Sequence, residues 1–121
     1  MKKSALPSPE SLLPLPTSTF HILVALSGCD RHGYAILQAI EAQTDGKLRM
    51  SAGTLYRSIA RMLEQGLIRE LRERPLIGND DERRRYYGLT DHGRRVARAE
   101  AARLSELVDL ARGAGLSPQR A

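Results

Sequence analysis

The sequence predicts a mostly α-helical fold with one small β-hairpin, and two stretches of chain carry that prediction. The first, SAGTLYRSIARMLEQGLI (51–68), is typical of a short capped helix with a basic outer face that runs into a strand. The second, RRRYYGLTDHGR (83–94), is typical of the return strand of a hairpin followed by a new helix. Together they give the layout of a winged helix-turn-helix; a further helix after the hairpin, treated below, is predicted to be a C-terminal dimerisation helix.

Length and composition favour one small domain. With 121 residues, of which 41% are hydrophobic, the chain has little area to spare for a private core, and such domains often gain burial by forming oligomers. The net charge of +5 raises the expectation of a polyanionic partner. The single cysteine, Cys29, excludes an internal disulfide and favours the cytoplasm. No apolar run approaches the roughly 18 residues that span a bilayer, so no membrane association is expected.

The chain divides into four segments. Residues 1–16 are rich in proline, serine and leucine and are predicted to form a mostly flexible arm, in which four prolines forbid a regular helix. Residues 17–89 are predicted to form the winged helix-turn-helix, and residues 90–112 the dimerisation helix. Residues 113–121, which contain two glycines and a proline, are predicted to form a flexible tail.

The first two helices of the domain are predicted from apolar spacing. One spans residues 18–27, with Thr17 and Ser18 as caps, and is apolar around most of its circumference. A helix of that kind needs more than one partner, so one side is expected to face the core and another a second subunit. Residues 29–33 are predicted to form a turn. The second helix then spans residues 34–43, with Tyr34 among its inward-facing residues.

The third helix has the composition of a helix that enters the major groove of DNA. Ser51 is its predicted N-cap, and Leu55, Ile59 and Met62 form its inward stripe. Small residues at the start of such a helix allow close approach, and arginines reach guanine or phosphate. The candidate DNA-binding residues of this helix are Ser51, Gly53, Thr54, Tyr56, Arg57 and Arg61. The alternative is an ordinary amphipathic surface helix with solvated arginines, which the adjacent hairpin disfavours.

The hairpin is the second candidate site. Strands are predicted over residues 67–74 and 83–89, with the tip between them. Three consecutive arginines on the return strand are candidate contacts with the minor groove or its flanking phosphates: Arg83, Arg84 and Arg85. Alternation along a strand sends neighbours to opposite faces, so the three do not reach DNA equally. The acidic residues 80–82 either pair with these arginines or limit the approach of the tip, and for any single arginine the alternative is a solvated charge.

The last helix follows Thr90, a predicted N-cap. Its apolar residues recur at spacings of four and three over about two heptads, as in a coiled-coil seam. The predicted dimer contacts are Phe20 and Leu23 of the first helix and Ala97, Ala101, Leu104, Leu107 and Val108 of the last. The alternative is that this helix only packs back on its own domain.

Four motifs in order resemble the PadR family of transcriptional regulators: HGYAIL (32–37), SAGTLYR (51–57), RMLEQGLI (61–68) and RYYGLTDHGR (85–94). The resemblance extends over about residues 20–112. It implies a winged helix-turn-helix, dimerisation through the C-terminal helix, and repression by operator binding that a ligand relieves.

Carried over residue by residue, the resemblance assigns DNA-facing roles to Ser51, Gly53, Thr54, Tyr56 and Arg57 and a wing-base role to Arg85. Two departures concern the third helix. Ala52 stands where members often have proline. Ala60 and Leu63 replace positions that are commonly charged, which weakens any expectation of base contacts there.

The function expected from the sequence is therefore sequence-specific DNA binding by a dimeric repressor that recognises a pseudo-palindromic double-stranded operator, with a small molecule as effector. The alternative is a winged-helix ligand-sensing or protein-interaction module without operator binding. No catalytic residue is predicted, because no nucleophile–base pair, phosphate loop or paired acids are evident. The three histidines, His21, His32 and His92, lack metal-ligand spacing with each other or with Cys29, so neither metal nor cofactor is expected.

Overall fold

Four α-helices and a three-stranded antiparallel sheet make up the computed structural model, which describes residues 6–71 and 85–116. The elements are, in order, a 3₁₀ turn (Pro9–Leu12), α1 (Thr17–Ala25), β1 (Arg31–His32), α2 (Gly33–Gln43), α3 (Ala52–Glu64), β2 (Ile68–Leu71), β3 (Tyr86–Leu89) and α4 (Asp91–Gly113). The predicted fold class, mostly helical with a small hairpin, is confirmed. Residues 72–84, which contain the predicted wing tip, lie outside the described residues.

The sheet has the order β1-β3-β2. β2 pairs with β3, as expected for the hairpin, and Ile68 is opposite Leu89 in the register. The remaining strand of the sheet, β1, was expected to be part of a turn. Its two residues are too few to show the alternation by which a strand is recognised in a sequence. The His32 and Tyr86 rings meet edge to face, with centroids 5.4 Å apart, and they fix the start of α2 to the sheet.

The core forms where α1 meets α2, α3 and α4. Its fully buried side chains are Ile22, Leu23, Ile36, Ile40, Leu55, Met62, Leu67 and Val96. Leu23 is therefore buried inside its own domain and offers no surface to a partner, which corrects its predicted role as a dimer contact. The expectation that Tyr34 faces inward is also wrong, because the residue is 64% exposed. α2 buries Gly33, Ile36 and Ile40, and this stripe points Tyr34 away from the core.

α1 begins at Thr17 rather than at residue 18. Pro16 occupies the N-cap position, and no side chain caps the helix there. The hydroxyl of Ser18, predicted as a cap, instead lies 3.1 Å from the hydroxyl of Ser58 on α3. The start of α1 is thus joined to the flank of α3.

Residues 6–16, expected to belong to a flexible arm, pack along the domain. A proline at the start of a short 3₁₀ turn costs no hydrogen bond, so the prolines that forbid an α-helix permit this turn. Three leucines of the segment, Leu12, Leu13 and Leu15, are half-buried against the core. The backbone N–H of Leu15 donates to Glu100 Oε2 at 3.3 Å, which joins the segment to α4.

Glu100 is nearly fully buried on α4 and shares its charge with Arg103. The Nε and Nη2 atoms of Arg103 donate to the two carboxylate oxygens at 2.7 and 2.9 Å. These bonds hold the pKa of Glu100 below its ordinary value; burial opposes them, and the Leu15 N–H adds to them. A carboxylate with a lowered pKa in the folded state stabilises the fold above its unfolded pKa, and the stabilisation is lost as the pH falls through the folded pKa.

We expect Glu100→Gln to lower the free energy of unfolding at neutral pH by about 1–2 kcal/mol, a moderate figure because Arg103 is partly solvated. The difference from the wild-type protein should begin to shrink as the pH falls below the ordinary pKa of glutamate, about 4.3, and should vanish below the lowered folded pKa of Glu100, where the glutamate of the wild-type protein is also protonated. Urea denaturation at several pH values measures both effects. Glu106→Gln, an exposed change on the same helix, is the control. A Glu100→Gln deficit that is independent of pH would contradict this interpretation.

Candidate nucleic-acid interface

The outer face of α3 is set by what the helix buries. Leu55, Ile59 and Met62 are in the core, as predicted, so the opposite stripe is exposed. This stripe contains Gly53, Arg57, Ala60 and Glu64 at spacings of four, three and four. The carboxylate of Glu64 would repel phosphate, so the part of this stripe that suits DNA ends at Ala60.

The first turn of α3 holds an arginine over a capped helix start. Ser51 Oγ accepts the backbone N–H of Thr54 at 3.1 Å, as the predicted N-cap. Thr54 Oγ1 in turn accepts from Arg57 Nη2 at 3.4 Å. A Cβ built at Gly53 would lie 3.3 Å from Arg57 Nη1, so the glycine leaves room for the guanidinium to lie back along the helix. The structure thus brings Ser51, Gly53, Thr54 and Arg57 together at one exposed helix end.

The two flanks of α3 differ. On one flank, the ring of Tyr56 packs over Gly33 at the start of α2, where a Cβ would overlap the tyrosine hydroxyl, and half of the side chain stays exposed. The exposed Tyr34 follows Gly33 directly. Sequence reasoning missed this second surface tyrosine; the signal that turns Tyr34 outward is the alternative stripe Gly33, Ile36 and Ile40, which also has helical spacings of three and four. On the other flank, Arg61 is exposed beside the start of α1.

The base of the wing carries an ion pair. Arg85 Nε lies 3.4 Å from Glu70 Oε2 on the neighbouring strand. Within the described part of the hairpin, the acid that pairs with an arginine is thus Glu70; the acidic residues 80–82 and the candidates Arg83 and Arg84 lie outside it. Burial, followed by the negative charge of Glu70, raises the pKa of Tyr87, which is opposite Glu70 in the register.

The predicted dimer contacts lie along a groove and an exposed stripe, with the fully buried Leu23 beneath the groove. An apolar groove of about 240 Å³ between α1 and α4 has Phe20, Val24, Ala97 and Ala101 among its lining residues. Further along α4, Leu104 is half-buried, while Leu107 and Val108 are 47% and 37% exposed. These apolar side chains form one surface that continues past the end of the domain core.

Other site chemistries find little support in residues 6–71 and 85–116. No three histidine, cysteine, aspartate or glutamate side chains there are grouped as ligands of a metal ion. Over the same ranges, no helix combines the length and the apolar character needed to cross a membrane.

The comparison with known families identifies the fold and its class of function. The model described as the transcriptional regulator PadR-like family matches residues 22–99, which is more than half of the chain. The chain belongs to the PadR-like family. This confirms the resemblance inferred from the four motifs, and with it the winged helix-turn-helix. The PadR-like family consists of transcriptional regulators, not enzymes.

Solved structures share the PadR-like fold. A transcriptional regulator from Clostridium thermocellum is 24% identical, with a TM-score of 0.68, and the match covers 79% of this chain and 87% of that protein. A PadR family transcription regulator from Clostridium difficile is 19% identical, also with a TM-score of 0.68, over 81% and 97% of the two chains. Bacillus subtilis PadR in complex with operator DNA is 17% identical, with a TM-score of 0.59, over 71% of this chain and 47% of that one. No curated protein matches the sequence.

Proposed function

We propose that this PadR-like protein is a cytoplasmic transcriptional repressor that binds a pseudo-palindromic DNA operator as a homodimer. The observation that carries the proposal is the first turn of α3, where a capped, exposed helix start presents Arg57 over Gly53. A major groove admits a helix whose outer face is small, and a guanidinium donates two parallel hydrogen bonds to guanine. The complex of Bacillus subtilis PadR with operator DNA supports this assignment through the shared fold.

The second half of α4 supports the proposal of a dimer. The helix has 23 residues and is therefore about 35 Å long, and from Ala101 onward most of its described side chains are exposed. An apolar stripe that leaves the domain in this way is typical of a subunit contact. A two-fold dimer presents two recognition helices to successive major grooves, which gives half-sites about 10 bp apart or a multiple of that distance. We further propose that a small-molecule effector acts at the apolar groove between α1 and α4. There it would change the distance between the two recognition helices of the dimer.

Selection of bound duplexes from a random DNA library tests the proposed function. We expect enrichment of a pseudo-palindromic sequence whose half-sites have that spacing. The same selection with Arg57→Ala is the matched comparison, because this variant lacks the one guanidinium that we expect to read a base. A wild-type protein that enriches no sequence would contradict the proposed function and favour the alternative of a ligand-sensing or protein-interaction module.

The dimer has its own prediction. Leu104→Asp places a charge in the apolar stripe of α4, and we expect it to yield monomers whose operator affinity falls to the level of random DNA. Ser105→Asp adds the same charge on a neighbouring exposed position and should remain dimeric. Light scattering measures the mass, and circular dichroism verifies that both variants are folded. A wild-type monomer, or a dimeric Leu104→Asp protein, would contradict the predicted interface.

The ion pair at the wing base predicts a gain of affinity. Glu70→Gln removes the carboxylate that Arg85 contacts, so the arginine becomes available to a phosphate. Exposed pairs are worth at most about 1 kcal/mol, so we expect operator affinity to rise by about two- to fivefold in fluorescence anisotropy titrations. Glu106→Gln changes the net charge equally on α4. Equal gains in the two variants would show that only the net charge matters.

A further inference from the structure

A polar cleft lies beside the outer face of α3, on the flank that faces α1. Its volume is about 200 Å³. The α3 wall is one helical stripe with spacings of three, one and three, and the α1 wall is the start of that helix. The lining residues are Thr54, Arg57, Ser58 and Arg61 from α3 and Pro16, Ser18 and Thr19 from the start of α1. Every lining side chain except the proline therefore carries a hydrogen-bond donor.

A pair of hydroxyls joins the two walls. Ser18 Oγ and Ser58 Oγ are 3.1 Å apart, so one of them donates to the other. Each hydroxyl has a single proton, which leaves the accepting serine with a proton to donate elsewhere. The pair thus fixes the width of the cleft and retains one donor for a ligand.

The charge of the lining is positive. Arg57 and Arg61 are both exposed, and no acidic side chain is among the described residues that line the cleft. Guanidinium and hydroxyl donors that converge without a carboxylate suit an oxyanion. Pro16 places the first turn of α1 at the same cleft, and the dipole of that helix adds to the positive potential.

The position of the cleft distinguishes a phosphate from a base. A helix in the major groove faces base edges with its outer stripe and has the two phosphate backbones along its sides. Gly53 and Arg57 are on the outer stripe, whereas Ser18 and Arg61 are at its side, next to α1. Hydrogen-bond donors at the side of the recognition helix therefore face the phosphate backbone of the DNA.

We propose that this cleft binds one phosphate of the DNA backbone, with Arg61 and Ser18 as its ligands. α1 then contributes a contact that fixes the recognition helix in its groove, on the side opposite Tyr56 and the wing base. The proposal rests on the proposed function and assigns to Arg61 the reading of a phosphate, not of a base.

The salt dependence of DNA binding tests the assignment. Each phosphate contact contributes about 0.9 to the slope of log affinity against log salt. We expect Arg61→Ala to reduce the slope by about that amount. The affinities for the selected operator and for a scrambled duplex should fall by the same factor. Arg95→Ala removes the same charge from an exposed position on α4 and should leave the slope unchanged. Ser18→Ala should lower the affinity for both duplexes by about two- to tenfold, which is the effect of losing one hydrogen bond.

The outcomes separate this inference from the proposed function. A wild-type protein that prefers no duplex refutes the function itself. Suppose instead that the wild-type protein binds its operator. The phosphate assignment alone is then refuted if Arg61→Ala leaves the salt-dependence slope unchanged, or if Arg61→Ala alters the sequence preference. Thermal melting with inorganic phosphate, against sodium chloride at equal ionic strength, tests a free oxyanion as the ligand. Stabilisation of the wild-type protein but not of Arg61→Ala, together with an unchanged DNA slope, would replace the backbone by a free anion.

Discussion

Replacing Gly93 by alanine is expected to destabilise the protein by about 3 kcal/mol or more, because a Cβ at this position overlaps backbone atoms. It would overlap the carbonyl oxygen of Leu67 and lie 2.9 Å from the carbonyl carbon. A backbone carbonyl has no rotamer by which to move away, so α4 would have to shift away from Leu67, the residue before β2. The Thr90 hydroxyl, which donates to Gly66 O at 2.6 Å and accepts the Gly93 N–H at 2.9 Å, opposes that shift.

Gly113→Ala is the matched control for that variant. Gly113 lies in the same helix, and a Cβ there would meet nothing within 4 Å. Alanine at a helical position is better than glycine by up to about 1 kcal/mol, so this control should be neutral or slightly stabilised. Urea denaturation compares the two variants with the wild-type protein. A Gly93→Ala protein as stable as Gly113→Ala would show that α4 does not require this close approach.

Arg57→Ala is expected to weaken operator binding by about 1–3 kcal/mol, or roughly 5- to 150-fold, while binding to scrambled DNA changes much less. The guanidinium is held over Gly53 by Thr54 and faces away from the core, so its loss removes a base contact more than it disturbs the fold. Anisotropy titrations with both duplexes give the ratio of affinities. Arg95→Ala is the control for charge. An unchanged ratio in Arg57→Ala would contradict the assignment of α3 as the reading helix.

The parts of the fold that sequence reasoning predicts are those set by local rules. The start of α3 follows from a serine cap and its inward face from the spacing of Leu55, Ile59 and Met62, and the structure has both. The Thr90 cap of α4 is equally local, since its side chain accepts a backbone N–H three residues on. The candidate DNA-binding residues of α3 could be predicted from the sequence for the same reason, because they all belong to one helix and its cap.

The parts that sequence reasoning missed depend on contacts between distant residues. Leu15 and Glu100 are 85 residues apart, and nothing local to the leucine shows that a buried carboxylate on α4 accepts its N–H. Leu23 lies in a helix that is apolar on several sides, so the pattern alone does not show which side the core takes. The cleft between α1 and α3 combines Ser18 and Ser58, which only the tertiary fold brings together.

The central claim is that the outer face of α3 lies in the major groove of an operator. Affinity cleavage tests it directly, with an iron-EDTA label on Ala60→Cys, an exposed position on that face, after the exposed Cys29 is changed to serine. Ala102→Cys, an exposed alanine on α4, carries the control label. The predicted result is strand cleavage at two places in the selected operator related by its two-fold axis, with none from the control. Equal cleavage from both labels, or cleavage spread evenly along the duplex, would contradict the claim.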